Sequence, residues 1–288
     1  MSTRIAFLAG LGFVCWPADK VVKALGDLGY DGIEWTTAHF SAADPDKARQ
    51  AVELTRDAGL EVSRIMAHED FVCLDDRERE RRIDGVVGVV QLAGELGVPT
   101  VGSMTGPAPW DERAPRIPAD ISEGEAWEMA LDAHRRIVAA AENSGTTISS
   151  EGVFGMLAHD FYSHRYLLDQ IPSAALGVNF DPSHGILSGN FDIAWLISQW
   201  GEKILHCHLK DAVGISQRPG EFIFPLLGEG RVDWTAFFQG LAARDYDGFA
   251  SVEFESWAYS EQVLGNDPMR AAAISIRQVR ALREAAGA

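Results

Sequence analysis

The sequence predicts an α/β fold, a single (β/α)8 barrel spanning residues 1–288, on three observations. Short β-prone runs alternate with helical patterns eight times along the chain. The length suits one such barrel, which takes roughly 250 residues, with short additions. Side chains of metal-binding type also fall at the ends of the fifth to eighth runs, and in this architecture the C-terminal ends of the strands carry the chemistry.

The elements follow in order. The first unit pairs a run at 3–9 (TRIAFLA) with a helical pattern at 17–28, and the second pairs 31–36 (DGIEWT) with 45–58. The third and fourth pair 60–66 (LEVSRIM) with 76–96 and 98–103 (VPTVGS) with 122–143. Runs at 146–151, 175–181, 203–209 and 247–254 then precede helices at 159–170, 190–200, 233–244 and 268–285. The runs are rich in β-branched and aromatic residues, and the longer segments place apolar residues at helical spacing with Ala-, Arg- and Glu-rich exposed faces. Gly29, Gly59, Gly97 and Gly145 each end a helical pattern just before a strand, the position of a left-handed cap. Strand and helix in strict alternation imply parallel strands. Closure is favoured over an open sheet because ligands on the fifth to eighth strands would then surround one centre.

Composition excludes several functions. With 42 acidic and 25 basic residues the net charge is −17, which repels polyanions, so no nucleic-acid partner is expected. The densest basic cluster, Arg77 to Arg82, is interleaved with Glu78 and Glu80 and reads as a solvated helix face. Cys15, Cys73 and Cys207 are too few and too irregular for a disulfide framework, and this favours a cytoplasmic location. The N-terminal MSTRIAFLAGLGF is too short in its apolar run for a signal peptide, and no run approaches the roughly 20 apolar residues of a spanning helix, so no membrane association is expected.

The chemistry-bearing residues are Glu151, closing TTISSE; Asp181, closing ALGVNFD; His208, in KILHCHLKD; and Glu253, in GFASVEFE. Taken singly, an acidic residue after a strand is usually a helix cap or a solvated loop residue. Four in phase on successive strands form an oxygen-rich set suited to one divalent ion, Mn²⁺ foremost, with Mg²⁺, Co²⁺, Fe²⁺ or Zn²⁺ as further candidates and a thiolate-type structural zinc site disfavoured. Strand alternation turns His206 and His208 to one side and Cys207 to the other, where it reads as a buried structural thiol. His206 is either a satisfied core histidine or a hydrogen-bond donor to a ligand, and His184, in DPSH, is placed to bind a substrate hydroxyl or carbonyl.

The motifs NFDPSH, HCHLKD, PLLGEGRVDW and DYDGFASVEFE resemble the sugar phosphate isomerase/epimerase superfamily, the xylose isomerase-like TIM barrels, which include D-tagatose 3-epimerase, myo-inosose dehydratase, hydroxypyruvate isomerase and endonuclease IV. The likeness runs from GYDGIEW to the closing helix and is most specific between Ala175 and Glu255. It implies a single divalent metal on Glu151, Asp181, His208 and Glu253, with His184 close to substrate. It further implies that Glu151 and Glu253 are the paired catalytic acid/base residues, working on either face of a metal-stabilised enediolate of a sugar or keto-sugar. Return of the proton to the opposite face gives an epimer, and return to the neighbouring carbon gives an isomer. The alternative is a lyase or dehydratase, like the inosose dehydratases or the 3-keto-glycoside deglycosidases, expelling a β-substituent from the same enolate. An endonuclease-IV-type activity is disfavoured by the acidic chain and the lack of further His ligands, and a scaffold role by the intact ligand set.

Other residues are candidates for the substrate side. Lys210 is in phase with His206 and His208 and reaches either an oxyanion or a structural partner, Asp211 or Glu202. Glu255 shares the face of Glu253, while Glu34 and His68 end the second and third strands and either line the pocket or orient a neighbour. Trp16, Trp110, Phe154 and Trp257 fall in top-face loops, where aromatic walls stack on sugars and where core or lid packing is the equal alternative. The segment Thr105 to Gly124, containing GPAPWDERAPRIP, is a candidate lid or contact to a second copy in a homo-oligomer. After Glu151 the chain reads GVFGMLAHD in place of the Asn-His pairing common in the family, so a usual polar substrate contact is missing. The loop Ala212 to Gly230, with Arg218 and the nearby Arg231, is a candidate phosphate or carboxylate site. No Gly-rich phosphate cradle is evident, and this favours an unphosphorylated small-molecule carbohydrate.

Overall fold

Eight parallel strands close into a barrel with helices around it in the computed structural model, which describes residues 3–10, 12–216 and 221–288. The barrel strands are β1 (Arg4–Leu8), β2 (Gly32–Thr36), β3 (Glu61–Met66), β4 (Thr100–Ser103), β5 (Thr147–Glu151), β6 (Leu176–Phe180), β7 (Ile204–Leu209) and β10 (Phe249–Val252), and β8 (Val213–Gly214) and β9 (Phe222–Ile223) form a small antiparallel hairpin above it. The closing pair is β1 with β10, Arg4 opposite Phe249. The apolar run near the N-terminus is thus the first barrel strand.

Helices α1 (Ala18–Leu28), α2 (Pro45–Asp57), α3 (Asp76–Glu95), α4 (Glu123–Ser144) and α5 (Phe161–Gln170) follow the first five strands. Asp44, Asp75, Ser122 and Asp160 cap the N-termini of α2 to α5 through their side chains, and this fixes each helix start. Gly29 and Gly145, at φ 77° and 70°, take the left-handed conformation that ends α1 and α4. After β6 the sequence reading expected one helix at 190–200, and the chain forms two, α6 (Pro182–Leu187) and α7 (Ile193–Trp200). Asp181 caps α6, its side chain accepting from Ser183 N at 2.8 Å, and Pro182 stands at its first position. Helices α8 (Trp234–Ala242), α9 (Trp257–Tyr259) and α10 (Pro268–Ala286) complete the ring.

The apolar core lies between the barrel wall and the helices. Ile33 and Trp35 on β2 face outward into it, Trp35 donating to Thr55 Oγ1 on α2 at 3.1 Å, while Glu34 between them points inward. Cys207 is fully buried in the same outer layer, where burial pushes its thiol up to about 12. The barrel interior is polar. Ser63 on β3 and Ser251 on β10 meet across it at 3.4 Å, alongside Arg64, His206, His208 and Asn179. Interiors of this fold are ordinarily filled by branched aliphatic side chains.

Two strands carry one extra residue each, and this aims the interior. Between β2 and β3, Ile33 pairs with Val62 and Glu34 with Arg64, leaving Ser63 unmatched. Between β6 and β7, Val178 pairs with Ile204 and Asn179 with His206, leaving Leu205 unmatched. Such bulges reset the alternation of side chains. They lie on opposite sides of the barrel, and Arg64 from one meets His208 from the other, Nη1 to Nε2, at 2.9 Å.

Candidate metal centre

Glu151 ends β5, Asp181 follows β6, His208 is next to last in β7 and Glu253 follows β10, so four neighbouring strands deliver four ligand-type side chains to one end of the barrel. All four are buried. His208 Nδ1 lies 3.4 Å from Glu151 Oε2, 3.2 Å from Glu253 Oε2 and 4.0 Å from Asp181 Oδ2. That nitrogen and Asp181 Oδ2 are buried without a hydrogen bond. Buried polar atoms are rarely left so unless something else binds them.

His184 comes equally close: its Nε2 is 3.3 Å from Glu151 Oε1 and 3.6 Å from Asp181 Oδ2, and ligand atoms of Glu151, Asp181, His184 and Glu253 all lie within 4.8 Å of one another. The hydrogen bonds separate the two imidazoles. Phe154 N donates to His184 Nδ1 at 3.4 Å, and the Lys210 ammonium stands 3.2 Å from Nε2, so both nitrogens of that ring already have protein partners. His208 has its Nε2 between Glu34, 3.1 Å and 3.3 Å from the two carboxylate oxygens, and Arg64 Nη1, 2.9 Å away, so that nitrogen is occupied and Nδ1 is the one left facing the carboxylates.

Behind His208 stands a network that sequence reasoning missed. Arg64, fully buried, donates to Glu34 Oε1 at 3.0 Å and to the Ser149 carbonyl at 3.3 Å, with Nη2 3.0 Å from His68 Nε2. Asn179 bridges Glu151 and His206: its Nδ2 donates to Glu151 Oε2 at 2.7 Å and its Oδ1 accepts from His206 Nδ1 at 2.9 Å. His206 Nε2 in turn contacts Ser251 Oγ at 3.0 Å. His206 is therefore a hydrogen-bonded support of the cluster, and Glu34 orients a neighbour.

Lys210 reaches the cluster. Its ammonium is 3.1 Å from Asp181 Oδ2, 2.5 Å from Glu253 Oε2, 2.9 Å from Glu255 Oε2 and 3.2 Å from His184 Nε2. The structural partners considered from sequence, Asp211 and Glu202, are not the ones it takes. Asp211 instead accepts from the backbone N–H groups of Gly228, Gly230 and Val232 and from Trp234 Nε1, shaping the loop between β9 and α8.

The field at the centre favours a cation. Burial alone would raise the carboxyls, but His208 overrides it and holds Glu151 and Glu253 well below the usual range, with Lys210 the larger influence on Glu253. Glu34 is held at about 2 against its burial by His208 and Arg64. Burial pushes His208 down, and Glu151, Glu253 and Glu34 together raise it well above its ordinary value. His68 and His206 are different: burial lowers them to about 4 and about 3, and they stay neutral. Three carboxylates and an imidazole nitrogen that makes no hydrogen bond fit a divalent ion with oxygen preference.

The remaining sequence candidates fall in different places. His68 lies 3.6 Å from Glu151 Oε2, at the edge of the cluster. Trp16 packs edge-on against Phe13 at 5.1 Å in the loop before α1, the packing alternative for that residue. Phe154 lies over His184, Trp110 is exposed beyond it, and Trp257 is exposed on α9. Arg231 sits over the Phe191 ring at 5.3 Å, and Arg218 lies outside the described residues. Among the described residues no helix is long and apolar enough to cross a membrane.

Comparison with known proteins bears on the whole chain. A curated inosose dehydratase from Clostridium beijerinckii is 25% identical over 145 residues, 46% of this chain and 48% of that protein, so the chain spans about half the length of the curated relative it matches. D-psicose 3-epimerase from Clostridium cellulolyticum H10, solved with D-tagatose, superposes with a TM-score of 0.74 at 15% identity, covering 98% of this chain and 99% of the other. The IOLI protein, solved with a bound zinc atom, gives a TM-score of 0.73 at 16% identity, with 98% of each chain covered. The family model described as xylose isomerase-like TIM barrel matches residues 22–282. The chain belongs to the xylose isomerase-like TIM barrel family.

Proposed function

We propose that this protein is a divalent-metal-dependent isomerase or epimerase of a sugar or keto-sugar, with Glu151, Asp181, His208 and Glu253 as the metal ligands and Glu151 and Glu253 as the proton-transfer pair. The observation that carries the reading is the buried, unpartnered His208 Nδ1 facing an oxygen from each of three carboxylates. A divalent ion held there would supply Lewis acidity to a substrate carbonyl and its adjacent hydroxyl, acidifying the C–H between them. Mn²⁺ and Mg²⁺ suit this ligand set best.

The chain's own groups account for the rest. Glu151 and Glu253 flank the centre, so one carboxylate removes the proton from the carbon beside the carbonyl and the other returns a proton. The Lys210 ammonium, 3.2 Å from His184 Nε2, is a donor at the same place and holds the substrate oxygen that gains negative charge, with His184 beside it as a substrate contact. His68, neutral at the edge of the cluster, is a further substrate contact.

Lys210 also favours a second reading, β-elimination. Its ammonium, set between Glu253 and Glu255, can protonate a departing oxygen, and the inosose dehydratase match points to the same chemistry. One experiment tests both. Metal-loaded protein is incubated in D2O with ketoses, inososes and 3-keto-glycosides, the metal is chelated, and NMR follows each C–H beside the carbonyl. Deuterium uptake with a rearranged sugar supports the isomerase, and loss of a β-substituent supports the lyase. Full activity in Glu253→Gln, or unchanged metal stoichiometry in Asp181→Ala, would sink the assignment.

A further inference from the structure

Aromatic rings run outward from the catalytic cluster in an unbroken series. Phe154 lies over the His184 imidazole, centroids 5.5 Å apart and planes inclined by only 31°. Phe222 on β9 and Phe224 just beyond it pack on Phe154 at 5.0 Å and 6.2 Å, and Phe224 also touches His184 at 6.1 Å. The Lys210 ammonium sits 4.9 Å over Phe224, so the series begins among the groups that face substrate. It ends at Trp110, whose ring is 6.0 Å from Phe154 and 59% exposed.

This wall is built in advance. Phe154 rests on a buried apolar cluster of Met104, Ala108, Val153 and Met156. Asp70 accepts from Ala108 N at 2.7 Å and from Val72 N at 2.9 Å, while Leu157 N donates to the Gly106 carbonyl at 2.9 Å and Ala158 N to Thr105 Oγ1 at 3.1 Å. The loops after β4 and β5 are therefore tied to each other, and a ligand meets the rings without ordering them first. One ring can stack on the face of a sugar. A series extending two ring spacings past His184 reaches further than a single sugar ring, and hydroxyls pressed against it would lose water without gaining partners. The one backbone donor at Phe154 is already spent on His184.

We infer that the substrate carries a flat apolar substituent, an aryl or similar aglycone, seated on Phe154, Phe222, Phe224 and Trp110 while its sugar portion reaches Glu151 and Glu253. This inference rests on the reading that chemistry takes place at those two carboxylates.

The test is calorimetric titration of the full-length protein with p-nitrophenyl β-D-glucopyranoside and with methyl β-D-glucopyranoside, both unreactive, in metal-stripped and metal-loaded samples. Burying an aryl ring on aromatic neighbours should favour the aryl glycoside by about tenfold or more. The preference should fall to near unity in Phe154→Ala and at least severalfold in Trp110→Ala, an exposed position whose loss leaves the fold intact. Equal affinities, no measurable binding of the aryl glycoside, or a preference untouched by both variants would overturn the inference. So would sedimentation showing a self-associated form in which these rings are covered and the aryl glycoside is excluded. Because neither ligand turns over and one arm has no metal, failure of the metal-enzyme reading would leave the aryl preference in place, and the converse also holds.

Discussion

Replacing Arg64 by Met tests the network behind the candidate metal centre. Arg64 and Glu34 are both fully buried and 3.0 Å apart, and the guanidinium also reaches the Ser149 carbonyl and His68. Met keeps the aliphatic stem of the side chain and lacks the guanidinium, so it removes the charge and donors and leaves a small gap beside Gly102. Glu34 then remains ionised in the interior with one partner gone, and breaking a buried pair in this way costs about 3–5 kcal/mol. His208, 3.1 Å from Glu34, still offers a positive partner, which places the expected loss at the lower end, near 3 kcal/mol. Urea unfolding of the metal-free protein measures it. The double variant Glu34→Gln/Arg64→Met removes both charges, and its loss should fall short of the sum of the single losses by at least about 1 kcal/mol. A single-variant loss under about 1 kcal/mol, or strict additivity, would refute the claim that the two charges sustain each other.

Other expectations follow from neighbouring contacts. A Cβ at Gly102 would land on the Arg64 guanidinium, so Gly102→Ala should destabilise the protein by about 1–3 kcal/mol and lose most of that penalty in an Arg64→Met background. Asn179→Ala removes the bridge from Glu151 to His206 and should weaken Mn²⁺ binding by about 10–100-fold in a competitive chelator titration, and unchanged affinity would remove Asn179 from the supporting role. His134, whose Nδ1–H donates to the Ala130 carbonyl and whose Nε2 meets Ser103 Oγ, is lowered by burial from 6.5 to about 4. Above pH 6.5 it is neutral folded and unfolded alike. Between pH 6.5 and 4 only the unfolded chain takes the proton, so stability falls with pH by up to about 3 kcal/mol from this residue. His134→Gln should flatten that part of the stability profile, and a parallel profile would count against it.

That Glu151, Asp181, His208 and Glu253 come together was legible because the signal is local: each residue sits at the end of a β-prone run, and the order of runs along the chain equals their order around this side of the barrel. The helices read equally well, since caps such as Asp44, Asp75 and Ser122 stand where the apolar spacing begins. Arg64 was invisible in a strand of otherwise ordinary composition, because only the unmatched Ser63 turns it inward and only a barrel brings it to His208. Asn179 was read as part of a motif and not as a bridge, its partners lying on two different neighbouring strands. The helix Pro182–Leu187 escaped because six residues hold too little periodicity, although the Asp-Pro start was a usable sign. Trp16 and Phe154 had the same sequence standing, an aromatic in a top-face loop, and only tertiary packing sent one onto Phe13 and the other onto His184.

The unmatched Leu205 makes the candidate metal centre a matter of chain length as well as of residue identity. Gly177 on the adjacent strand leaves the space, since a Cβ there would stand 2.6 Å from the Leu205 side chain. Shortening β7 by that one residue would keep every ligand in the gene yet offer Cys207 to the cavity and send both histidines toward the helices. A related protein that aligns all four ligand letters but lacks the insertion would thus be expected to have lost the site, and a comparison of residue types alone would miss it.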